Sequence, residues 1–186
     1  MRIISGTVRS TQTIWLPTLS NIAPPDLRRL SHTTKILHKL KSLLPVLPLQ
    51  IDILEHPPLR LKSRAPIWHA ETQSESVEYL WTRRWEQSEP RNKDLIKEPF
   101  KKVPGWDGTR ATRTTLNRIR TEQGRCNYLL HKWGMVDSPL CECGETQTIK
   151  HMVESCPITM FKKGLTKLHE GGPTAIKWLE ELNTRL

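Results

Sequence analysis

Apolar residues recur along this chain at intervals of three and four, the spacing of amphipathic helices, in stretches separated by breaks rich in proline and glycine. One runs from Pro24 to Pro45. Leu27, Leu30, Thr34, Leu37, Leu40 and Leu44 line one face, and Arg28, Arg29, Lys35 and Lys39 occupy much of the rest. Prolines at the start, Asp26 in the first turn, and Lys39 and Lys41 near the end suit the helix dipole and its capping preferences. Such a helix either packs by its apolar face and leaves a solvated cationic face, or turns that face toward nucleic acid.

Residues 45–67 carry Pro45, Pro48, Pro57, Pro58 and Pro66, so no long helix survives there and Ile51–Leu54 forms a short strand at most. Helical spacing returns over Trp68–Glu86, with Val77, Leu80, Trp81 and Trp85 on the apolar side. Trp81 and Trp85 lie one turn apart, a spacing that favours a place in the core over stacking on bases.

After a break at Glu98–Gly105, a second basic helix is expected over Thr109–Thr121. Thr112, Thr115, Leu116 and Ile119 share one arc, with Arg110, Arg113, Arg118 and Arg120 over the other. Gly124 is expected to end this helix, Asn127 to cap the next, Tyr128–Trp133, and Gly134 to close it. A last helix opens at Gly172-Pro173, where Ala175, Trp178, Leu179, Leu182 and Leu186 fall at helical intervals. The pattern predicts a mainly α protein of loosely joined helices. It divides into a basic helical segment 1–44, a proline-rich connector with a tryptophan-bearing helix 45–104, and a helical module 105–186.

Between the last two helices stands a cluster that calls for chemistry. One residue separates Cys141 from Cys143, seven lie between Cys143 and His151, four lie between His151 and Cys156, and Pro157 follows. Three thiols and an imidazole form the donor set that tetrahedral Zn²⁺ prefers. The Cys-x-Cys turn aims two sulfurs at one point, Gly144 lets the backbone fold beneath them, and Thr148–Ser155 reads as a short helix carrying His151. On an α-helix Cys156 would stand about 140° from His151, so it must swing back at a frayed end, where Pro157 stops the helix. With all four positions filled by protein, the expected role is a structural zinc knuckle, one ion per chain. Thiols spaced this closely pair with each other only under strain. Cys126 stands apart and reads as a small buried hydrophobe.

Composition sharpens the picture. Lys and Arg number 29 against 19 Asp and Glu in 186 residues, a net charge of +10, with 14 prolines and 36% hydrophobic residues. A pI near 9.7 and a mean hydropathy of −0.53 argue against a single tight globule and favour a polyanionic partner, RNA or DNA. The candidate phosphate contacts are Arg110, Arg113, Arg118, Arg120, Arg125 and Lys132, with Trp133 as a candidate stacking residue. No apolar run is long enough to cross a bilayer and Met1 does not open a secretory leader, so an intracellular protein is expected. Asp107, His131 and Glu145 could enter acid–base chemistry, but no spacing pairs them. The start Arg2-Ile-Ile-Ser-Gly6 reads as the middle of a packed segment, which suggests a truncated product.

The ordered string Leu116-Asn-Arg-Ile-Arg120, Gly124-Arg-Cys126, Lys132-Trp-Gly134, Ser138, Cys141-x-Cys-Gly144, Gln147-Thr148, His151 and Cys156-Pro157 resembles the carboxyl-terminal end of non-LTR, LINE-like retrotransposon polyproteins. Ile4-Ser-Gly6, Trp15-Leu-Pro17 and Ile22–Arg28 are similar to their region just after the polymerase thumb, which places segment 1–44 there. The resemblance implies a tail that follows a reverse transcriptase and helps hold template RNA or target DNA, with that parent enzyme as a further partner. Tyr-x-Asp-Asp is missing and no two aspartates are adjacent, so the palm carboxylates of a polymerase are absent from this sequence. The family's endonuclease has no room either. A retroelement fragment, or a product derived from one, without catalytic activity is the expectation. The competing expectation is a structural or protein-interaction module in which zinc only fixes the fold.

Overall fold

The computed structural model describes residues 1–42 and 75–183, and over these the protein is mainly helical, with no strand beyond an isolated bridge between Leu140 and Thr146. The expected strand at Ile51–Leu54, the proline-rich run 45–67, the start of the tryptophan helix at Trp68, and Leu44 and Leu186 lie outside the described residues. The helices are α1 (Arg2–Ser5), α2 (Trp15–Ser20), α3 (Pro25–Ser42), α4 (Val77–Glu86), α5 (Arg110–Arg120), α6 (Asn127–Lys132), α7 (Gly164–His169) and α8 (Pro173–Asn183). A π-helical turn spans His151–Ser155 and a 3₁₀ turn Lys93–Leu95. No helix among the described residues is long and apolar enough to cross a membrane.

Contacts divide the chain into two compact units, residues 23–84 and residues 1–22 with 85–186. This departs from the three consecutive segments read from the sequence, because the first residues join the module at the other end of the chain. Their attachment is specific. Asn117 Nδ2 donates to the Ser5 carbonyl (2.9 Å) and Arg118 Nε to that of Gly6 (3.2 Å). Gly6 sits at φ +67°, where a Cβ would overlap Thr114, so only glycine lets the amino-terminal turn lie this close to α5.

In the unit of residues 23–84, α3 buries Leu27 and Leu37 while Arg28, Arg29, Lys35 and Lys39 are exposed. Arg84 grips Asp26 through both guanidinium nitrogens (3.0 and 2.5 Å), and this hydrogen bonding lowers the Asp26 pKa despite partial burial. Leu80 and Trp81 are buried here as well.

The other unit holds two apolar clusters. In one, Trp15 and Trp85 meet edge to face, ring centroids 4.9 Å apart, beside Leu19, Ile96 and Val103. Both indoles find acceptors, Trp15 on the Arg91 carbonyl (3.2 Å) and Trp85 on that of Ile96 (3.0 Å), as buried indoles require. The second cluster gathers Leu116 and Ile119 from α5, Cys126 and Leu129, Ile149, Met152 and Val153, then Phe161, Leu168, Ala175, Leu179 and Leu182. α8 packs against α5, and Ile149 just before the π turn and Met152 and Val153 within it lie in this core, so the candidate site rests on a packed base.

α5 ends differently from the sequence expectation. Glu122, at φ +51°, takes the left-handed position after it, and Gly124 lies farther on, buried against Arg118 and Ile149. Asn127 is not the cap of α6 but its first residue. Cys126 holds the cap position, while the Asn127 amide donates to the Leu140 carbonyl (2.6 Å) and its backbone N–H to Gln147 Oε1 (2.8 Å). Gly134 does close α6, at φ +70°.

Candidate metal centre

Cys141, Cys143, His151 and Cys156 converge, their ligand atoms all within 4.8 Å of one another. Two local devices bring them together. The first is the turn Cys141–Gly144, closed by Gly144 N–H to the Cys141 carbonyl (2.9 Å) and by Cys141 N–H to that of Glu145 (2.7 Å), with Gly144 at φ +90°. The second is the π turn. Thr148 Oγ1 accepts the His151 N–H (3.0 Å) as a helix cap would, and Cys156 N–H then reaches the His151 carbonyl (2.8 Å) five residues back. Widening from an i+4 to an i+5 bond puts His151 and Cys156 about one turn apart on the same side. The helix reaches Cys156 by an inserted residue, not by fraying.

The separations suit a single ion. Cys141 and Cys156 sulfurs are 3.7 Å apart, those of Cys143 and Cys156 4.0 Å, and Cys143 Sγ lies 3.2 Å from His151 Nε2. A tetrahedron with metal–sulfur bonds of about 2.3 Å has sulfur–sulfur edges of about 3.8 Å. All four cysteines of the chain are free thiols. His151, Cys141 and Cys156 are buried and Cys143 is half-buried. The four residues can therefore bind one metal ion.

A contact absent from the sequence reading orients the imidazole. Glu145 Oε2 lies 3.0 Å from His151 Nδ1, and Ser155 Oγ lies 3.1 Å from the same nitrogen. A carboxylate there accepts a hydrogen bond from Nδ1–H, which leaves the Nε2 lone pair facing the sulfurs. Glu145 follows the Cys-x-Cys-Gly turn directly, and a carboxylate at that position was the available signal. Burial raises the Cys156 thiol, but hydrogen bonds from the Thr159 side chain and the Ile158 and Thr159 backbone outweigh it and leave a pKa of about 6. A thiolate at neutral pH is the ligating form. Cys126 takes no part; it is buried in the core, and burial raises its pKa.

The candidate phosphate contacts divide. Arg110 and Arg125 are exposed, Arg113 and Arg118 partly buried, and Lys132 and Trp133 exposed, Trp133 at 41%. Arg110 Nη2 donates to the Ile3 carbonyl (3.3 Å), and Arg113 Nη1 to that of Trp106 (3.2 Å) with its guanidinium over the Trp106 ring. Arg120 is not among the exposed cations that the sequence led us to expect. It is 1% exposed and points into the protein, where Nη1 meets Asn117 Oδ1 (2.9 Å), Nε meets His169 Nδ1 (2.9 Å), and Nη2 meets the carbonyls of Pro104 (2.6 Å) and His169 (3.0 Å). Placed one turn after Leu116 and beside Ile119, it falls on the buried side of α5, so it cannot contact phosphate.

No protein-family model, curated protein or solved structure matches the chain.

Proposed function

We propose that residues 105–186 form a zinc-stabilised module that binds RNA or DNA, the tail of a non-LTR retroelement reverse transcriptase carried on a chain without polymerase or endonuclease activity of its own. Three cysteines and a histidine with their ligand atoms within 4.8 Å of one another suit structural Zn²⁺, and four protein ligands would fill a tetrahedral shell and leave no open position on the ion. The observation that carries nucleic-acid binding is uncompensated charge on α5 and the turn that follows it. Among the described residues, Arg110, Arg113, Arg118 and Arg125 form no ion pair, and the acidic residues between Lys101 and Lys132 are Asp107 and Glu122, the latter held by Arg91 (2.9 Å). Exposed Trp133, Tyr128 and Met135 on and beyond α6 add apolar surface on which bases can stack.

Fluorescence anisotropy of the full chain with single-stranded RNA and duplex DNA across a salt series tests this reading. Binding that weakens steeply with salt supports it, and no binding to either at low ionic strength overturns it. A second reading, a structural or protein-interaction module left from a retroelement, draws on a separate observation. Arg110, Arg113 and Arg118 all spend donors on backbone carbonyls, an arrangement that stitches residues 3–6 and 106 to α5 without any ligand.

A further inference from the structure

A cavity of about 150 Å³ opens beside α5 and the turn that follows it. Ile119, Ile149 and Leu182 give it an apolar wall, and Arg118 and Arg125 line it together with Gly124. Two guanidinium groups on one small cavity repel each other, the more so for Arg118, which is partly buried. Burial, and after it the charge of Arg125, lowers the Arg118 pKa. Among the described residues no carboxylate relieves either group. Arg118 Nε is spent on the Gly6 carbonyl, a neutral acceptor that fixes the side chain and leaves its charge unbalanced. Gly124 keeps the space open, because a Cβ there would meet Arg118 Cβ at 3.0 Å and Ile149 Cδ1 at 3.2 Å.

An oxyanion turns this arrangement from repulsive to attractive, since planar guanidinium donors match phosphate oxygens in charge and geometry. We propose that the cavity is a phosphate-binding site, with Arg118 and Arg125 as its cationic walls and Gly124 holding it open. Phosphate is the chemistry shared by the free ion and a nucleic-acid backbone. Occupation by a backbone phosphate rests on the RNA/DNA reading above, whereas binding of the ion does not.

The test uses the zinc-loaded full chain and two probes. Inorganic phosphate is titrated against chloride at constant ionic strength while the Gly124 and Arg125 amide resonances are followed, and a single-stranded oligonucleotide is titrated by anisotropy. Arg125→Gln removes one wall, and Gly124→Ala narrows the cavity without changing charge. Lys177→Gln, an exposed position on α8, controls for loss of net charge. The site predicts that Arg125→Gln and Gly124→Ala each weaken phosphate at least about tenfold while Lys177→Gln has less than about a twofold effect. Thermal melting shows whether Gly124→Ala keeps the fold, and Arg125→Gln decides if it does not. Equal losses from Arg125→Gln and Lys177→Gln, or no phosphate-specific shift at Gly124, overturn the site. Phosphate binding without oligonucleotide binding upholds the site and removes the nucleic-acid reading. Oligonucleotide binding unaffected by Arg125→Gln overturns occupation by a backbone phosphate and leaves the RNA/DNA reading standing, while the phosphate titration alone decides the site.

Discussion

Arg120 Nε donates to His169 Nδ1 across 2.9 Å, joining the last turn of α5 to the last residue of α7 inside the protein. The relation fixes the imidazole in its neutral form, since the accepting nitrogen cannot also carry a proton. Burial is the main cause of a His169 pKa lowered to about 4, with the Arg120 charge second and Glu170 opposing. Burial also pulls the Arg120 pKa down to about 9, and the group stays charged at neutral pH.

This pair predicts a pH dependence of stability. Between about pH 6.5 and 4 the unfolded chain protonates His169 while the folded chain does not, so acid favours the unfolded state. The contribution is present above pH 6.5 and fades as pH falls toward 4. Between pH 7 and 5 the wild type should lose about 2 kcal/mol more than His169→Gln, whose metal centre is identical. Urea denaturation of both at those pH values is the check, and parallel losses would contradict it.

Replacing Arg120 tests whether it is part of the structure. Arg120→Met leaves Asn117, His169 and the Pro104 carbonyl without their donors and should destabilise by about 3–5 kcal/mol, against under about 0.5 for Arg125→Gln on the surface. Equal stability of the two variants would restore Arg120 as a surface residue.

The helices over 110–120, 127–132 and 173–183 follow from periodicity, because their apolar faces meet one core, and the helix over 25–42 follows from the face on which Leu27 and Leu37 are buried. The burial of Trp81 and Trp85 follows from their spacing. The metal ligands are legible because they stand close in sequence. Arg120 is not, since a helical wheel sorts residues by type and cannot show that an arginine finds four acceptors from elements 3, 16 and 49 residues away. Nor is the π turn, whose extra residue has no compositional mark. The attachment of residues 1–22 depends on contacts over 112 positions, beyond the reach of any local pattern.

Glu145 should tune metal affinity without being a ligand. Glu145→Gln removes the charge that holds the His151 Nδ1 proton and should lower affinity about 10- to 100-fold, while the ligand set is unchanged. Competition with a chromophoric chelator measures this, and unchanged affinity would make the contact incidental.

Nucleic-acid affinity should follow charge with Arg120 left out. If Arg110, Arg113, Arg118, Arg125 and Lys132 all meet phosphates, the log–log salt slope is roughly −3.5 to −4.5, for single-stranded and duplex targets respectively. Trp133→Ala should weaken binding with little change in that slope. A slope unaltered by Arg110→Gln together with Arg113→Gln would contradict the assignment of those two contacts.

Cys141, Cys143, His151 and Cys156 are placed to hold one ion, and the proposed function makes it a structural zinc. Since the binding energy of such an ion is folding energy, the module's integrity depends on it. Elemental analysis together with zinc X-ray absorption, on protein purified without chelator, tests this. The expected result is one zinc per chain with three sulfurs at about 2.3 Å and one nitrogen at about 2.0 Å, and a loss of both metal and fold in Cys143→Ser. Protein that is folded without bound zinc, or a zinc shell with fewer than three sulfurs, would contradict it.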